Sequence, residues 1–203
     1  MKTLFIALFT CLAVLFSTVT AKAASTVYLP FAALAATVQI VAANETPDFT
    51  ADSIRLWHVS ENGGSAAPAL QCGNQHKLQI HVFDVTGDQG EQSRLNNIGV
   101  KVVQYDAQGV RTEDVFHTGQ DGANKGVVQI EFARTAEIWI SSDVDGHTFT
   151  SQVARVTNLA YAIPTDRLIE SGYCTDETSC QAFINANTCN GNFSWNVVFK
   201  RGY

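Results

Sequence analysis

The central part of the chain, residues 98–142, alternates apolar and polar positions in short runs that turn residues separate. Val128, Ile130 and Phe132 occupy every second position, which is the period of a half-buried β-strand. Asp, Gly and Asn cluster between the runs, and these residues favour turns because they tolerate positive φ or bond their own backbone. The pattern predicts three consecutive short strands.

Similar strand-like runs recur on both sides of this centre, without a long amphipathic helical pattern between them. Such spacing predicts an all-β antiparallel β-sandwich. Residues 178–187 predict one short helix opened by a Ser or Thr cap, and an apolar final strand is expected to return to the sandwich. The predicted organisation is a signal peptide, an apolar segment with a connector, the sandwich and a Cys-rich extension, at residues 1–24, 25–52, 53–165 and 166–203.

The first residues predict export. A short basic start precedes an apolar run, and small residues around 20–25 suit cleavage, as in a secretory signal peptide. Anchoring of a lipoprotein through Cys11 is the alternative. We therefore expect a secreted or cell-surface protein.

A second apolar stretch, residues 26–43, follows the signal and fits three interpretations. It packs on the domain as one or two strands, it anchors the chain in a membrane, or residues 26–41 form a strand donated to a neighbouring copy. Pro30 and the β-branched composition of residues 37–41 favour strands over a spanning helix.

Composition and charge narrow the class of partner. The 203 residues are 46% hydrophobic and 16% charged, which is typical of a globular chain. The formal net charge is −6, and loss of Lys2 and Lys22 with the signal makes the mature chain more acidic still. Nucleic acid is therefore not an expected partner.

Four cysteines remain after the signal, namely Cys72, Cys174, Cys180 and Cys189. An even number in an exported chain predicts two disulfides, whereas a zinc site or a catalytic thiol fits the spacing less well. Cys72 precedes one strand and the other three flank the last. We therefore expect Cys72 to pair with Cys174, and Cys180 with Cys189.

The central stretch resembles the immunoglobulin-like and transthyretin-like modules of secreted bacterial proteins, including invasin-type repeats and carboxypeptidase-regulatory-like domains. The residues that carry the resemblance are Gly99, Val100, Val102, Asp106, Gly109, Thr118, Gly122, Val128, Ile130, Phe132, Ile138 and Ile140. Four additional residues, 123–126, precede the strand that begins near residue 127. The resemblance implies an immunoglobulin-like sandwich and leaves function open, because such modules serve as spacers, adhesins and sugar-binding accessories.

Candidate catalytic groups are sparse. Glycoside hydrolysis needs two facing carboxylates, and the available acids lie in polar loops or on outward strand positions: Glu113, Asp114, Glu131 and Glu137. The histidines are scattered, and His81 is expected on a strand surface. We predict no catalytic residues.

No cofactor is predicted, although calcium is the most credible ion. The turns at residues 84–88 and 143–147 combine Asp with Gly and carbonyl groups, as a hard cation prefers. Asp-Gly pairs are equally ordinary turn residues, so no metal ligands are assigned.

Tryptophan supplies the candidate binding residues. Parity places Ile138 and Ile140 inward and Trp139 on the opposite, polar face, where an indole can stack on a sugar or anchor a protein partner. Trp57 is a second candidate, and Trp195 is predicted to lie in the core.

The resulting expectation is a non-catalytic extracellular module for binding, adhesion or assembly, whose partner is a glycan, a surface protein or a second copy. The alternatives are a carbohydrate-binding accessory protein, favoured if Trp57 and Trp139 share one face, and an extracellular hydrolase.

Overall fold

The computed structural model describes residues 38–39, 46–63, 76–84, 94–106, 108–120, 124–132, 134–186 and 191–201. The strands are β1 (Val38–Gln39), β2 (Phe49–Leu56), β3 (Lys77–Phe83), β4 (Ile98–Tyr105), β5 (Arg111–His117), β6 (Val127–Glu131), β7 (Thr135–Asp143), β8 (Val153–Thr157) and β9 (Trp195–Arg201). A 3₁₀ turn spans Ala160–Ala162, and two helices follow, α1 (Thr165–Glu170) and α2 (Glu177–Ala186). The predicted β class with a short C-terminal helix is confirmed.

The strands form two sheets. The five-stranded sheet has the order β1-β8-β7-β4-β5, and all its neighbours are antiparallel. The four-stranded sheet has the order β2-β9-β3-β6. The predicted antiparallel arrangement is wrong for one pair, because β3 and β9 run parallel. A strand inserted between two strands of opposite direction, as β9 is between β2 and β3, must be parallel to one of them.

One buried cluster fills the space between the sheets. In strands of both sheets, the side chains at alternate positions are apolar and point into this cluster, as a period of two requires. Trp195 is fully buried there, and its indole N–H donates to the carbonyl oxygen of Thr157 in the other sheet at 2.9 Å. The prediction that Trp195 is a core residue is confirmed, and the hydrogen bond joins the two layers.

The segment between β8 and β9 covers one end of the four-stranded sheet. Tyr173, Phe183 and Phe193 pack with ring centroids 5.0–6.2 Å apart. Beneath them, the fully buried Asn62 donates to the Tyr173 hydroxyl at 3.1 Å and accepts from the Ser194 hydroxyl at 2.7 Å. Burial raises the pKa of Tyr173 to about 12. We call the described residues of this segment, 158–186 and 191–194, the cap.

Helix α2 opens differently from the prediction. Its first turn is capped by Asp176, whose carboxylate accepts the Ser179 backbone N–H at 2.7 Å. Ser179 reciprocates by accepting the Asp176 backbone N–H at 3.0 Å. This exchange satisfies two N–H groups at the helix start, in the manner of a capping box.

The predicted disulfide pairing is wrong, because Cys174 is bonded to Cys180. The start of α2 at Glu177 places Cys180 one turn into the helix, facing inward, with its Cα 5.1 Å from that of Cys174. This Cα separation suits a disulfide. Cys72 and Cys189 lie outside the described residues.

The N-terminal segment is described only at β1. Val38 and Gln39 pair with Ala154 and Val153 at the edge of the five-stranded sheet of the same chain. The other residues of the predicted segment 26–41, the signal peptide and the anchor alternative lie outside the described ranges. Self-association through this segment stays a prediction. In the described part of the chain, every helix is too short or too polar to span a bilayer.

Candidate functional site

Trp139 lies on the outer surface of the five-stranded sheet. Ile138 and Ile140 beside it on β7 are fully buried, whereas Trp139 is half-buried and points away from the core. Antiparallel pairing sets it opposite Lys101 of β4. The alternation along the strand therefore places this indole as the sequence predicted.

The indole is covered on one side by a cation. The Lys101 ammonium lies 5.5 Å from the Trp139 ring centroid, within range for a cation–π contact. Lys101 also pairs with Glu113 of β5, which pairs with Arg111. Hydrogen bonds from Lys101 and then Arg111 hold the pKa of Glu113 below its usual value. One carboxylate thus holds both Lys101, which lies over the Trp139 ring, and Arg111.

A second ion pair completes this surface. The Glu137 carboxylate accepts the Arg155 Nε–H at 2.8 Å. Val103 faces outward between Glu137 and Glu113, yet it is only 1% exposed. The stems of the paired side chains therefore shield an aliphatic residue outside the core. We call this surface the charged face; it comprises Lys101, Val103, Arg111, Glu113, Glu137, Trp139 and Arg155.

Trp57 belongs to the other sheet. It follows β2, is half-buried, and donates its indole N–H to the side-chain oxygen of Asn196 at 2.8 Å. Asn196 lies on β9 between the fully buried Trp195 and Val197, so it faces away from the core. Trp57 and Trp139 therefore lie on different sheets, each outside the shared core. The condition that favoured a two-tryptophan sugar platform is not met.

Asn196 begins a row of carboxamides that crosses the four-stranded sheet. Asn196 lies opposite Gln79 of β3, and Gln79 lies opposite Gln129 of β6. The Gln79 and Gln129 amides approach to 3.5 Å, a long contact. At the β2 end, Arg55 lies opposite Asn196 and is held by both carboxylate oxygens of Glu61 at 2.7 and 3.4 Å. We call Asn196, Gln79 and Gln129 the carboxamide row.

This row could not be predicted from the sequence, because its order depends on the parallel pairing of β3 and β9. Outward amides were visible on β3, β6 and β9 as polar positions between apolar ones. The sequence therefore showed that each amide faces outward, but it did not show which strands are neighbours in the sheet.

His81 lies beside the row, on the same side of β3 as Gln79. It is half-buried rather than water-facing, and its ring stacks on Phe83 with centroids 6.2 Å apart. Burial, and secondarily the charge of Arg94, lowers the His81 pKa to about 4. The imidazole is therefore neutral at pH 7, and the row has no cation at this position.

The turn at residues 143–147 gathers three groups that suit a cation. Ligand atoms of Asp143, Asp145 and His147 all lie within 4.8 Å of one another. One Asp143 oxygen accepts the backbone N–H groups of Asp145 and His147, and the other lies 2.8 Å from His147 Nδ1. These bonds already account for the conformation of the turn. Of the second candidate turn only Asp84 is described.

The carboxylates considered for hydrolysis do not form one site. Glu113 and Glu137 flank Val103 on the charged face, and each is paired with a cation. Asp114 alternates with Glu113 along β5, and Glu131 lies on the other sheet, 3.4 Å from His76. A general acid needs a raised pKa, whereas that of Glu113 is lowered.

The chain matches no protein-family model, no curated protein and no solved structure. The resemblance to immunoglobulin-like modules therefore stays a prediction, and so does the function that such modules suggest. The two outer sheet surfaces are the candidate sites: the charged face on the five-stranded sheet, and the carboxamide row with Trp57 on the four-stranded sheet.

Proposed function

We propose that this protein is a secreted or cell-surface, non-catalytic β module that binds a surface protein through the charged face, with Trp139 as the anchor. The observation that carries the proposal is the placement of Trp139, half-buried on an outer sheet surface and bordered by two networks of paired charges. Adhesion or assembly at the cell surface is the biological role that this binding serves.

The chemistry of the charged face suits a protein partner. Trp and Arg are enriched among the residues that dominate protein interfaces, and charges around such an anchor steer association and fix orientation. Lys101 and Glu113 hold each other, so little side-chain freedom is lost when a partner docks. Trp139 is already restrained by Lys101, which favours a preformed contact surface.

The non-catalytic part rests on how the acids are used. Arg55 lowers the pKa of Glu61, and the Ser179 backbone and hydroxyl groups lower that of Asp176. Together with Glu113 and Glu137, these carboxylates serve ion pairs and turns. Acid-base catalysis instead requires a titratable group that is poised near the working pH and aimed at a substrate.

The extracellular location rests on the predicted signal peptide, and the Cys174–Cys180 disulfide is compatible with it. For the fold we propose the immunoglobulin-like sandwich that the resemblance implies. Two sheets that share one buried cluster support a sandwich architecture.

The decisive experiment measures binding of the fluorescently labelled mature protein to cells of the organism that produces it. Trp139→Ala should reduce bound fluorescence at least tenfold, while Tyr161→Ala, which removes an exposed aromatic ring outside both sheet surfaces, should leave it nearly unchanged. Equal losses for both variants would contradict binding through the charged face. Hydrolysis of any polysaccharide by the wild-type protein, abolished by Glu113→Gln or Glu137→Gln, would contradict the non-catalytic assignment.

A further inference from the structure

We propose that the carboxamide row and Trp57 form a binding site for a neutral glycan chain on the outer surface of the four-stranded sheet. This site is separate from the charged face and is an additional activity beyond the protein binding proposed above. The two therefore fail or succeed independently.

The geometry of the row suits an extended ligand. Arg55, Asn196, Gln79 and Gln129 stand at one level on four adjacent strands. Adjacent strands lie about 4.8 Å apart, so the three amides extend over roughly 10 Å. A chain of sugar rings laid across the strands meets one amide after another, in contrast to a small ligand held in a pocket.

The chemistry of the row suits hydroxyl groups. Each carboxamide has an oxygen acceptor and two N–H donors, and a sugar hydroxyl both donates and accepts. The Trp57 indole N–H occupies the Asn196 oxygen at 2.8 Å, which orients the Asn196 amide and leaves its NH₂ group to face a ligand. The 3.5 Å contact between Gln79 and Gln129 is too long to consume their hydrogen-bonding capacity.

Apolar surface lies directly beside these donors and acceptors. His81 stands two residues from Gln79 on the same side of β3, beside the half-buried Val198 of β9. Trp57 supplies an aromatic ring at the β2 side. Sugars have C–H faces as well as hydroxyl edges, so a ligand needs an apolar strip alongside a polar one.

Charge selects a neutral ligand over an acidic one. Arg55 is neutralised by its two contacts with Glu61. Lys77, two residues before Gln79 on β3, lies opposite Glu131 in the strand register, so a carboxylate stands across from the cation nearest the row. The three amides themselves have no formal charge. A uronate or sulfate would therefore meet no cation among the three amides, whereas the hydroxyl groups of a neutral hexose or pentose chain can all be paired with amide donors and acceptors.

The test is affinity electrophoresis of the mature, disulfide-bonded protein in native gels containing neutral polysaccharides: hydroxyethylcellulose, xylan, galactomannan and β-glucan. Polygalacturonate serves as the acidic comparison. We expect at least one neutral polymer to retard the protein. Gln79→Ala should weaken that association at least tenfold, and Trp57→Ala should abolish it.

Two further variants make the result specific. Trp57→Phe keeps an aromatic ring but loses the N–H that orients Asn196, so we expect a partial loss of affinity. Gln120→Ala removes an exposed amide elsewhere that also has only a 3.5 Å contact, and it should bind like the wild type. Unchanged melting temperatures of Gln79→Ala and Gln120→Ala establish that folding is intact.

Three results would overturn the proposal: no retardation by any neutral polymer, retardation by polygalacturonate alone, or retardation insensitive to Gln79→Ala. Loss of retardation in Trp139→Ala, with Gln79→Ala binding normally, would assign glycan binding to the charged face and also overturn it. Loss of cell binding in Trp139→Ala with glycan retardation retained would support both proposals.

Discussion

The two sheets of this protein share one core but present different outer surfaces. On the five-stranded sheet, charged side chains pair across strands around Trp139, and β5 is exposed on both faces from Arg111 to Val115. On the four-stranded sheet, uncharged amides stand in a row, and the cap covers one end. Both sheets thus alternate buried apolar residues with outward residues, but the outward residues form ion pairs on one sheet and an uncharged amide row on the other.

The cap explains why the sheets also differ in restraint. Asn62, Tyr173 and Ser194 form a buried hydrogen-bonded group that ties the cap to the start of β3, where Ser194 accepts the Lys77 backbone N–H at 2.8 Å. Buried polar groups of this kind are costly to break because an unpaired partner is left behind. We infer that the four-stranded sheet is more strongly restrained against local unfolding than the five-stranded sheet.

The largest predicted effect concerns a second disulfide on the four-stranded side. Leu78 of β3 lies opposite Trp195 of β9, and Cys72 and Cys189 each stand six residues earlier in the chain. Since Cys174 and Cys180 are paired, Cys72 and Cys189 are the two cysteines that remain after the predicted signal peptide, and we predict a bond between them. Both residues lie outside the described ranges. Non-reducing peptide mapping should recover it, and a free thiol at Cys72 would contradict it.

The energetic consequence follows from loop length. A disulfide that closes a loop of about 100 residues contributes about 4.7 kcal/mol in the chain-entropy model, and one that closes a very short loop contributes about 2 kcal/mol. Cys72→Ser with Cys189→Ser should therefore lower the free energy of unfolding more than Cys174→Ser with Cys180→Ser. Denaturant titration of the two double variants measures the difference.

A matched pair of tryptophans tests the contrast between core and surface. Trp195→Ala should cost about 4 kcal/mol, because it leaves a cavity and an unpaired Thr157 carbonyl. Trp139→Ala should cost about 1 kcal/mol or less, since its side chain lies outside the core. Similar losses in urea unfolding would show that Trp139 is ordinary packing rather than a binding residue.

Acid should affect the four-stranded sheet first. The folded-state pKa of His81 is about 4, below its ordinary 6.5, so the unfolded chain binds the proton more readily. The contribution of the neutral His81 to the free energy of unfolding is fully present above pH 6.5. It is lost as the pH falls through 6.5 toward 4, and the loss is on the order of 2 kcal/mol. On the charged face, Glu113 has a lowered pKa, so its contribution falls only below the ordinary carboxyl range.

Urea unfolding at pH 7, 6, 5 and 4 measures this dependence. His81→Gln should flatten the slope between pH 6.5 and 4, whereas His147→Gln, a change to an exposed histidine in the turn after β7, should retain it. A slope that survives His81→Gln would show that another group controls the acid sensitivity.

The smallest predicted effect belongs to the ion pairs of the charged face. Glu137→Gln keeps the size of the side chain and removes the charge that Arg155 contacts at 2.8 Å. Because both side chains are about a quarter exposed, the expected loss is about 0.5 kcal/mol, and it should shrink in high salt. A double-mutant cycle with Arg155→Gln isolates the pair, and a coupling above 2 kcal/mol would contradict this description.

Prediction from the sequence succeeded where the deciding interaction was local. The alternation in β6 and β7 identified the strands and the inward residues Ile138 and Ile140. It also placed Trp139 outward and Trp195 in the core. Each of these assignments follows from a period of two and the burial of apolar side chains. None of them depends on which strand is the neighbour in the sheet.

Prediction failed where distant segments meet. The Asp176 cap and the Cys174–Cys180 bond are exceptions, since they span three and six positions and were missed because the helix was predicted to begin at residue 178. The buried Asn62 was missed because its partners Tyr173 and Ser194 lie 111 and 132 positions away. The carboxamide row was missed for the same reason, since three separate strands contribute one amide each.

The sequence by itself determined the β class, the inward and outward positions of the central strands and the short C-terminal helix, because these depend on local period and composition. Tertiary structure alone decided that β9 lies between β2 and β3. That insertion brings Trp57, Asn196, Gln79 and Gln129 to one surface and leaves Trp139 on the other. Strand neighbours are set by the total free energy of packing the sheets, to which residues more than a hundred positions apart contribute, so no local pattern records them.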